Sequence, residues 1–512
     1  MTTTADAALP PMEQPRPIRV RRAAVLAGVG GQTTAAYAAA GFAASTLIVL
    51  AGGHVGTARF TTPLTDWFDL LTRSGYRPGG SPAPGLLLVA GIAVLVLLWL
   101  RLARRPHRAV STEGRVWAIA GAWALPFVVG PPLLSSDVYT YGAQGMLVDR
   151  GLDPYSVGPS ALGGVPAVAA VDPTWRSVTS PYGPLATWFQ HFAVVLGGGP
   201  LGAVIVFRLV AVAAVVAIGL LAADLAGTHR IAALTLIVLN PLVLLYVVSA
   251  AHLEGLLGAL LLGALVAVRR GNSTLGIVLA CAAGAVKAPA LIAVVAIIVW
   301  QRRRPGHQAW RDTARDSAVA VAACAGLTML VPHGWGWAPA LNTPALGYTP
   351  AAPSSLIGDL CKVIVPWAPF DDLAAAGRTV ALVAAGCIVA YLIATSQRRS
   401  LEATVGLGLL AVALLGPVIY PWYALWGVLC LAPIARGRTR ELLVLGCAIE
   451  SVAALSGMPR LAADLVAVGL AIGIGLVIAS SGELRTLLPN AASGRGLRGG
   501  ESTRLTSTSS WR

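Results

Sequence analysis

The segment Leu275–Trp300 reads LGIVLACAAGAVKAPALIAVVAIIVW, and the topology of the whole chain turns on it. About 20 apolar residues suffice to cross roughly 30 Å of hydrocarbon as a helix. Yet Arg269 and Arg270 precede the segment and Arg302, Arg303 and Arg304 follow it. A single crossing places one arginine cluster outside, against the positive-inside bias. Lys287 sits at its centre, where a lysine costs about 2.5–3.5 kcal/mol on insertion scales. Pro289 removes a hydrogen bond from the helical ladder. Two short helices, about 275–286 and 289–300, folded as a hairpin with Lys287 at the outer tip, remove all three conflicts. Broken helices are tolerated at membrane depth where they line a cavity. The alternative is one kinked helix whose lysine snorkels to the interface.

Outward from this segment the pattern repeats. The chain has 512 residues, 56% hydrophobic and 12% charged, against about 25% charged in soluble domains. Apolar stretches recur near 34–51, 84–103, 115–133, 200–224, 230–248, 253–268, 313–331, 377–395, 403–417, 421–434, 441–457 and 461–480. With the hairpin they predict an all-α polytopic bundle of about 13–14 membrane-crossing segments. The net charge of +15 comes from arginines clustered at helix ends, which excludes a nucleic-acid reading in favour of the inside rule. An N-terminus placed inside puts Arg101, Arg104, Arg105, Arg108, Arg398, Arg399, Arg436, Arg438 and Arg440 inside as well. The expected organisation is a disordered cytoplasmic tail over 1–30, a transmembrane domain over 31–482 and a second cytoplasmic tail over 483–512. Two long outer loops follow, 134–199 and 332–376, rich in Trp, Tyr, Pro and Gly and expected to be partly helical caps. Residues 185–197 suit an interfacial helix. The six cysteines show no metal or disulfide spacing.

Ser135-Ser136-Asp137-Val138-Tyr139-Thr140-Tyr141-Gly142 opens the first outer loop, just past the span that ends near Leu133. A carboxylate at that boundary is placed as an enzyme base. On the proposed topology Asp137, His252, Glu254 and Lys287 all map to the outer leaflet, where a boundary charge is a functional candidate. One carboxylate, a nearby cation and aromatic caps suit sugar transfer from a lipid-linked donor. Asp137 takes the acceptor proton, Lys287 and His252 bind the donor phosphate, and the loop aromatics stack on sugar faces. Lys287 and Asp137 are then expected on the order of 10 Å apart across one cavity, with the acceptor hydroxyl near the base. Glu450, within a late span, has no assigned role. No GxGxxG stands in a nucleotide-binding context, and the outer loops lack a compact acidic cluster for a metal, so no cofactor and no metal site are predicted.

Several of these segments resemble the polyprenol-phosphomannose-dependent α(1→6)-mannosyltransferases of actinobacteria. They are Ser136–Gly145, Gly151-Leu152-Asp153-Pro154-Tyr155, Ser180–Leu185, Asn240-Pro241-Leu242, His252 with Glu254, Lys287-Ala288-Pro289, Pro353-Ser354-Ser355-Leu356 and Pro421–Trp426. The resemblance spans roughly residues 30–480. It implies a GT-C glycosyltransferase of the cell membrane, with its site on the extracytoplasmic face. It implies Asp137 as catalytic base, and Glu254, Tyr139, Tyr141, Tyr182, Trp422 and Tyr423 as substrate-binding residues. The donor is then polyprenyl-phosphate-mannose, the acceptor an α(1→6)-mannan glycolipid of the lipomannan backbone, and the transfer inverting. Leu253 and Tyr420 depart from the Asn and Gln that family members usually carry at these places. Open alternatives are another polyprenyl-phosphate sugar, arabinofuranose or glucose, and a lipid or solute transporter. No nucleic-acid partner is expected.

The hairpin predicts that a cysteine introduced at Ala288, in a background lacking the native cysteines, reacts with a membrane-impermeant thiol reagent on intact cells. Reaction only after permeabilisation, from the inner face, would overturn the hairpin and the topology downstream of it.

Overall fold

The computed structural model describes residues 18–54, 83–104, 107–302, 309–340, 352–365, 367 and 369–453. The expected span 461–480 and the C-terminal tail lie outside them. The described helices are, in order, α1 (Ile18–His54), α2 (Ala83–Arg104), α3 (Glu113–Val129), α4 (Asp137–Asp149), α5 (Pro166–Ala170) and α6 (Pro184–Leu196). They continue with α7 (Pro200–Ala226), α8 (Arg230–Ile237), α9 (Glu254–Arg269), α10 (Ser273–Val286), α11 (Leu291–Arg302) and α12 (Ala309–Thr328). The last are α13 (Trp337–Ala340), α14 (Pro353–Ile364), α15 (Phe370–Ala394), α16 (Leu401–Leu415), α17 (Ala424–Leu431) and α18 (Gly437–Ala453). No strand occurs among the described residues. The chain is an all-α polytopic membrane protein.

Local signals set the helix ends. Thr112 caps α3 and Ser400 caps α16 through their hydroxyls, and Asn272 caps α10 through its side-chain carbonyl. Pro184 and Pro200 occupy the first turns of α6 and α7, where a missing N–H costs nothing. α1 starts at Ile18, within the stretch expected to be a disordered tail, and α15 starts at Phe370, before the expected end of the second outer loop. α6 covers most of the stretch expected as an interfacial helix; the exposed Trp188 and Phe192 stack on it with centroids 5.5 Å apart.

Among the described residues, four helical stretches are long and apolar enough to cross a membrane: Gln32–Gly53, Ala83–Arg104, Gly202–Ile237 and Asp372–Ala394. Other expected crossings within the described residues are broken or short. The expected span 230–248 carries Asn240-Pro241, and beyond it Val243–Ser249 forms a wide π turn. That turn meets α9 at 108°. The expected span 421–434 opens as the turn Pro421–Tyr423 and leaves α17 with 8 helical residues.

The segment 275–300 divides at Lys287, as the sequence predicts. A Cβ on Gly284 lies 3.5 Å from the backbone nitrogen of Leu291 and closer still to its side chain. In a continuous helix residues seven apart are separated by about 10.5 Å. The chain therefore folds back at Lys287, and the single kinked helix is excluded.

Small residues let these short helices pack closely. A Cβ on Gly427 of α17 meets the carbonyl of Gly406 on α16 at 2.4 Å, the close backbone approach that membrane helices use in place of a hydrophobic drive. At the centre of the bundle stands Arg208 on α7, 4% exposed. Its Nη1 donates to the carbonyls of Phe127 (2.5 Å), Gly130 (2.8 Å) and Val128 (3.1 Å). Its Nη2 donates to Ser249 (2.6 Å). The guanidinium thus satisfies the last carbonyls of α3 and the end of the π turn at once.

Arg208→Met leaves four carbonyls, three of them buried, without that donor, each buried one costing about 1–3 kcal/mol. A fall of several degrees in the unfolding temperature of detergent-purified protein is expected, with Arg208→Lys recovering only part of it. An unchanged unfolding temperature would mean that Arg208 carries no structural load.

Candidate functional site

The path to Asp137 begins where Arg208 holds α3. Gly130 ends that helix and Pro131-Pro132 prevents its continuation. Leu134 then takes a left-handed conformation, φ 64°. The Ser135 hydroxyl accepts from the Asp137 amide at 3.2 Å, and α4 starts at Asp137 itself. A carboxylate in a first helical turn is favoured by the helix dipole. The second path begins at Ser249, which Arg208 also holds. Ala251 is left-handed, φ 54°, and the chain turns sharply so that His252 and Glu254 point back toward α4.

The third path is the long loop after α4, residues 150–183. Ser180 donates to Gln144 of α4 at 3.2 Å, and the Gly183 amide donates to the Val286 carbonyl at 3.1 Å. Gly183 is required there, because a Cβ falls 2.3 Å from the Ala285 carbonyl oxygen. This contact lays Tyr182 beside Lys287. Two acids of this loop serve turns. Asp153 accepts from the Tyr155 amide and the Ser156 hydroxyl, and Asp172 accepts from the Thr174 amide, which presents Trp175.

These paths bring the four predicted charges together in a chain of contacts. Asp137 Oδ2 lies 3.6 Å from His252 Nδ1, and the same nitrogen lies 3.6 Å from Glu254 Oε2. The other oxygen of Glu254 accepts from Lys287 Nζ at 2.6 Å. The Tyr141 hydroxyl is 3.2 Å from His252 Nδ1 and 3.4 Å from the Tyr182 hydroxyl. The ammonium of Lys287 also lies over the rings of Tyr423 (4.4 Å), Tyr182 (5.3 Å) and Trp426 (5.3 Å), an arrangement each ring quadrupole favours.

A cavity of about 110 Å³ opens in front of this chain. Asp137, Thr140 and Gln144 line it from one face of α4, Trp175 and Tyr182 from the loop after α4, and Tyr420, Trp422 and Tyr423 from the turn before α17. Asp137, with its side chain 23% exposed, is the acid that reaches it. Burial raises the Asp137 carboxyl above its ordinary value, opposed by the positive charge of His252 and Lys287.

The expected site residues divide between the cavity and the layer behind it. Lys287 and His252 stand behind the cavity wall, not in it. Lys287 is paired, because a largely buried ammonium needs a counter-charge and Glu254 supplies it. Glu254 is 1% exposed and lies buried behind the cavity. Tyr139 is buried toward Arg208 on α4, since a residue two positions from Asp137 points to the opposite side of the helix. Tyr141 likewise supports the site from behind, and Trp422 is stacked on His252 at 4.2 Å and on Tyr420 at 4.7 Å. The sequence reading missed Arg208 and Trp426. Arg208 carried a signal, a lone cation inside the apolar span 200–224. Trp426 carried none apart from its neighbours.

The sequence profile described as alpha-(1->6)-mannopyranosyltransferase, N-terminal domain, matches residues 38–303, and the MptB C-terminal domain profile matches residues 355–482. Alpha-(1->6)-mannopyranosyltransferase A of Mycobacterium tuberculosis is 30% identical over 436 residues, covering 81% of this chain and 82% of that protein. Alpha-(1->6)-mannopyranosyltransferase B of Corynebacterium glutamicum is 28% identical over 451 residues, 78% of this chain and 73% of its own length. The chain belongs to the alpha-(1->6)-mannopyranosyltransferase family and is a membrane glycosyltransferase.

Lys287→Met strands the buried Glu254 carboxylate, and a loss of about 3–5 kcal/mol in unfolding stability is expected. Lys287→Met with Glu254→Gln removes both charges and should recover more than half of it. Simply additive losses in this double-mutant cycle would contradict the pairing.

Proposed function

We propose that the chain transfers mannose from polyprenyl-phosphate-mannose to an α(1→6)-mannan glycolipid at the outer face of the cell membrane, with Asp137 as base. The observation that carries this reading is the single partly exposed carboxylate at the cavity, backed by a buried His252–Glu254–Lys287 chain. The names of the relatives supply the sugar and the linkage.

In the proposed step the acceptor 6-hydroxyl gives its proton to Asp137 while its oxygen attacks the anomeric carbon. The bond from that carbon to the phosphate oxygen breaks, and polyprenyl phosphate leaves with the electron pair. A β-linked donor then yields an α-mannoside in one displacement, which calls for one base and no covalent carboxylate partner. Burial makes Asp137 a stronger base than a solvated aspartate. Lys287 acts as a positioning residue. It neutralises Glu254, and Glu254 with Tyr141 holds the His252 ring toward Asp137. Trp175 and Tyr420 offer aromatic surface at the cavity for the acceptor sugars.

Asp137→Asn keeps the shape and cannot take a proton, so transfer from labelled polyprenyl-phosphate-mannose to a short α(1→6)-mannoside should fall by about 10²–10⁴-fold with stability little changed. In the parent protein, the rate should decline as pH falls, with a midpoint above the ordinary aspartate value of about 3.9, because burial raises this carboxyl. Full turnover by the Asn variant would remove Asp137 from the chemistry. Transfer of arabinofuranose or glucose in preference to mannose would reassign the donor while keeping the base.

A further inference from the structure

We propose that the end of the α10–α11 hairpin remote from Lys287 is a second binding site, for a phosphate group. A cavity of about 530 Å³ opens there, lined by Arg270, Asn272, Ser273, Thr274, Gln301 and Arg315. It adjoins the N-terminus of α10, a helix of 14 residues. Asn272 Oδ1 accepts from the Leu275 amide at 3.0 Å. The amides of Ser273 and Thr274, one and two positions into the helix, have no carbonyl one turn below them. Such a terminus binds oxyanions through its N–H groups and its dipole.

The independent observation is Gln301. It is 4% exposed, it lines this cavity, and its Oε1 has no hydrogen-bond partner among the described residues. A buried amide is normally satisfied. An amide also carries two N–H donors, and through that end Gln301 can donate to an oxyanion bound in the cavity it lines. Arg315 Nη2 donates to Thr274 Oγ1 at 2.7 Å, which holds its guanidinium over the helix terminus. Arg270 pairs with Asp224 at 3.0 Å at the exposed rim. Two guanidinium groups, two hydroxyls and the amides converge on one space. That is more donors than the two oxygens of a carboxylate accept, and it matches a phosphate, for which the arginine fork is suited. The chemistry is shared by free phosphate and by the phosphodiester of an anionic lipid headgroup.

The test uses the full-length protein in two arms. In detergent, the unfolding temperature is followed against inorganic phosphate, with chloride at matched ionic strength as reference. In bilayer discs of phosphatidylcholine with and without phosphatidylglycerol, lipid retained by the protein after extraction is identified by native mass spectrometry. Saturable stabilisation by inorganic phosphate assigns a free phosphate ligand; selective retention of phosphatidylglycerol alone assigns a headgroup. In whichever arm binding occurs, Arg315→Gln and Gln301→Glu should each weaken it by about tenfold or more, the loss of one charge-assisted contact or its replacement by repulsion. Arg315 also holds Thr274, so Thr274→Ala and Gln301→Glu carry the test if Arg315→Gln fails to fold. Absence of saturable binding in both arms, or variants that bind as the parent does, would overturn the proposal.

Discussion

One guanidinium organises this molecule. Arg208 is fixed on α7, and from there it holds the end of α3 and the end of the π turn together through four carbonyls. Asp137 follows the first of these ends by seven residues and His252 follows the second by three. Neither residue belongs to a helix long enough to be placed by packing alone. Both are placed because a charge buried in the bundle must be satisfied, and the carbonyls that satisfy it sit at the bases of their turns. In a membrane interior the drive for apolar side chains to meet is weak, so polar satisfaction carries the specificity that a hydrophobic core gives a soluble enzyme.

The same logic runs through the charges nearest the cavity. Glu254 and Lys287 come from two separate breaks in otherwise apolar helices, and each is tolerable only because the other is there. The aromatic rings around Lys287 close this pair from solvent. What reaches the cavity is the acid at the far end of the chain, Asp137, which is the acid with room to meet a hydroxyl. Cavity-facing and buried charge are thus divided among residues that the sequence places in one leaflet. The hairpin that carries Lys287 at its turn has its two ends at the arginine-rich cavity around Gln301, so one element links both polar regions of the bundle.

The chain alone determined that it is an all-α membrane protein, since apolar runs of this length and number have no other use. It determined the fold-back at Lys287, because a lysine, a proline and two flanking arginine clusters do not fit one crossing. It pointed to Asp137, and its motifs marked the family. Tertiary structure alone decided the partners. Glu254 and Lys287 are 33 residues apart, and nothing periodic joins them. Tyr139 and Asp137 sit in one motif, yet the turn of α4 sends one toward Arg208 and the other toward the cavity. The number of full crossings was also hidden, because hydropathy registers apolar composition and is blind to a break such as the π turn at Val243–Ser249. Composition is a sum along the chain and is read from it directly. Which buried charge neutralises which depends on distances between segments, and only the packed bundle sets those.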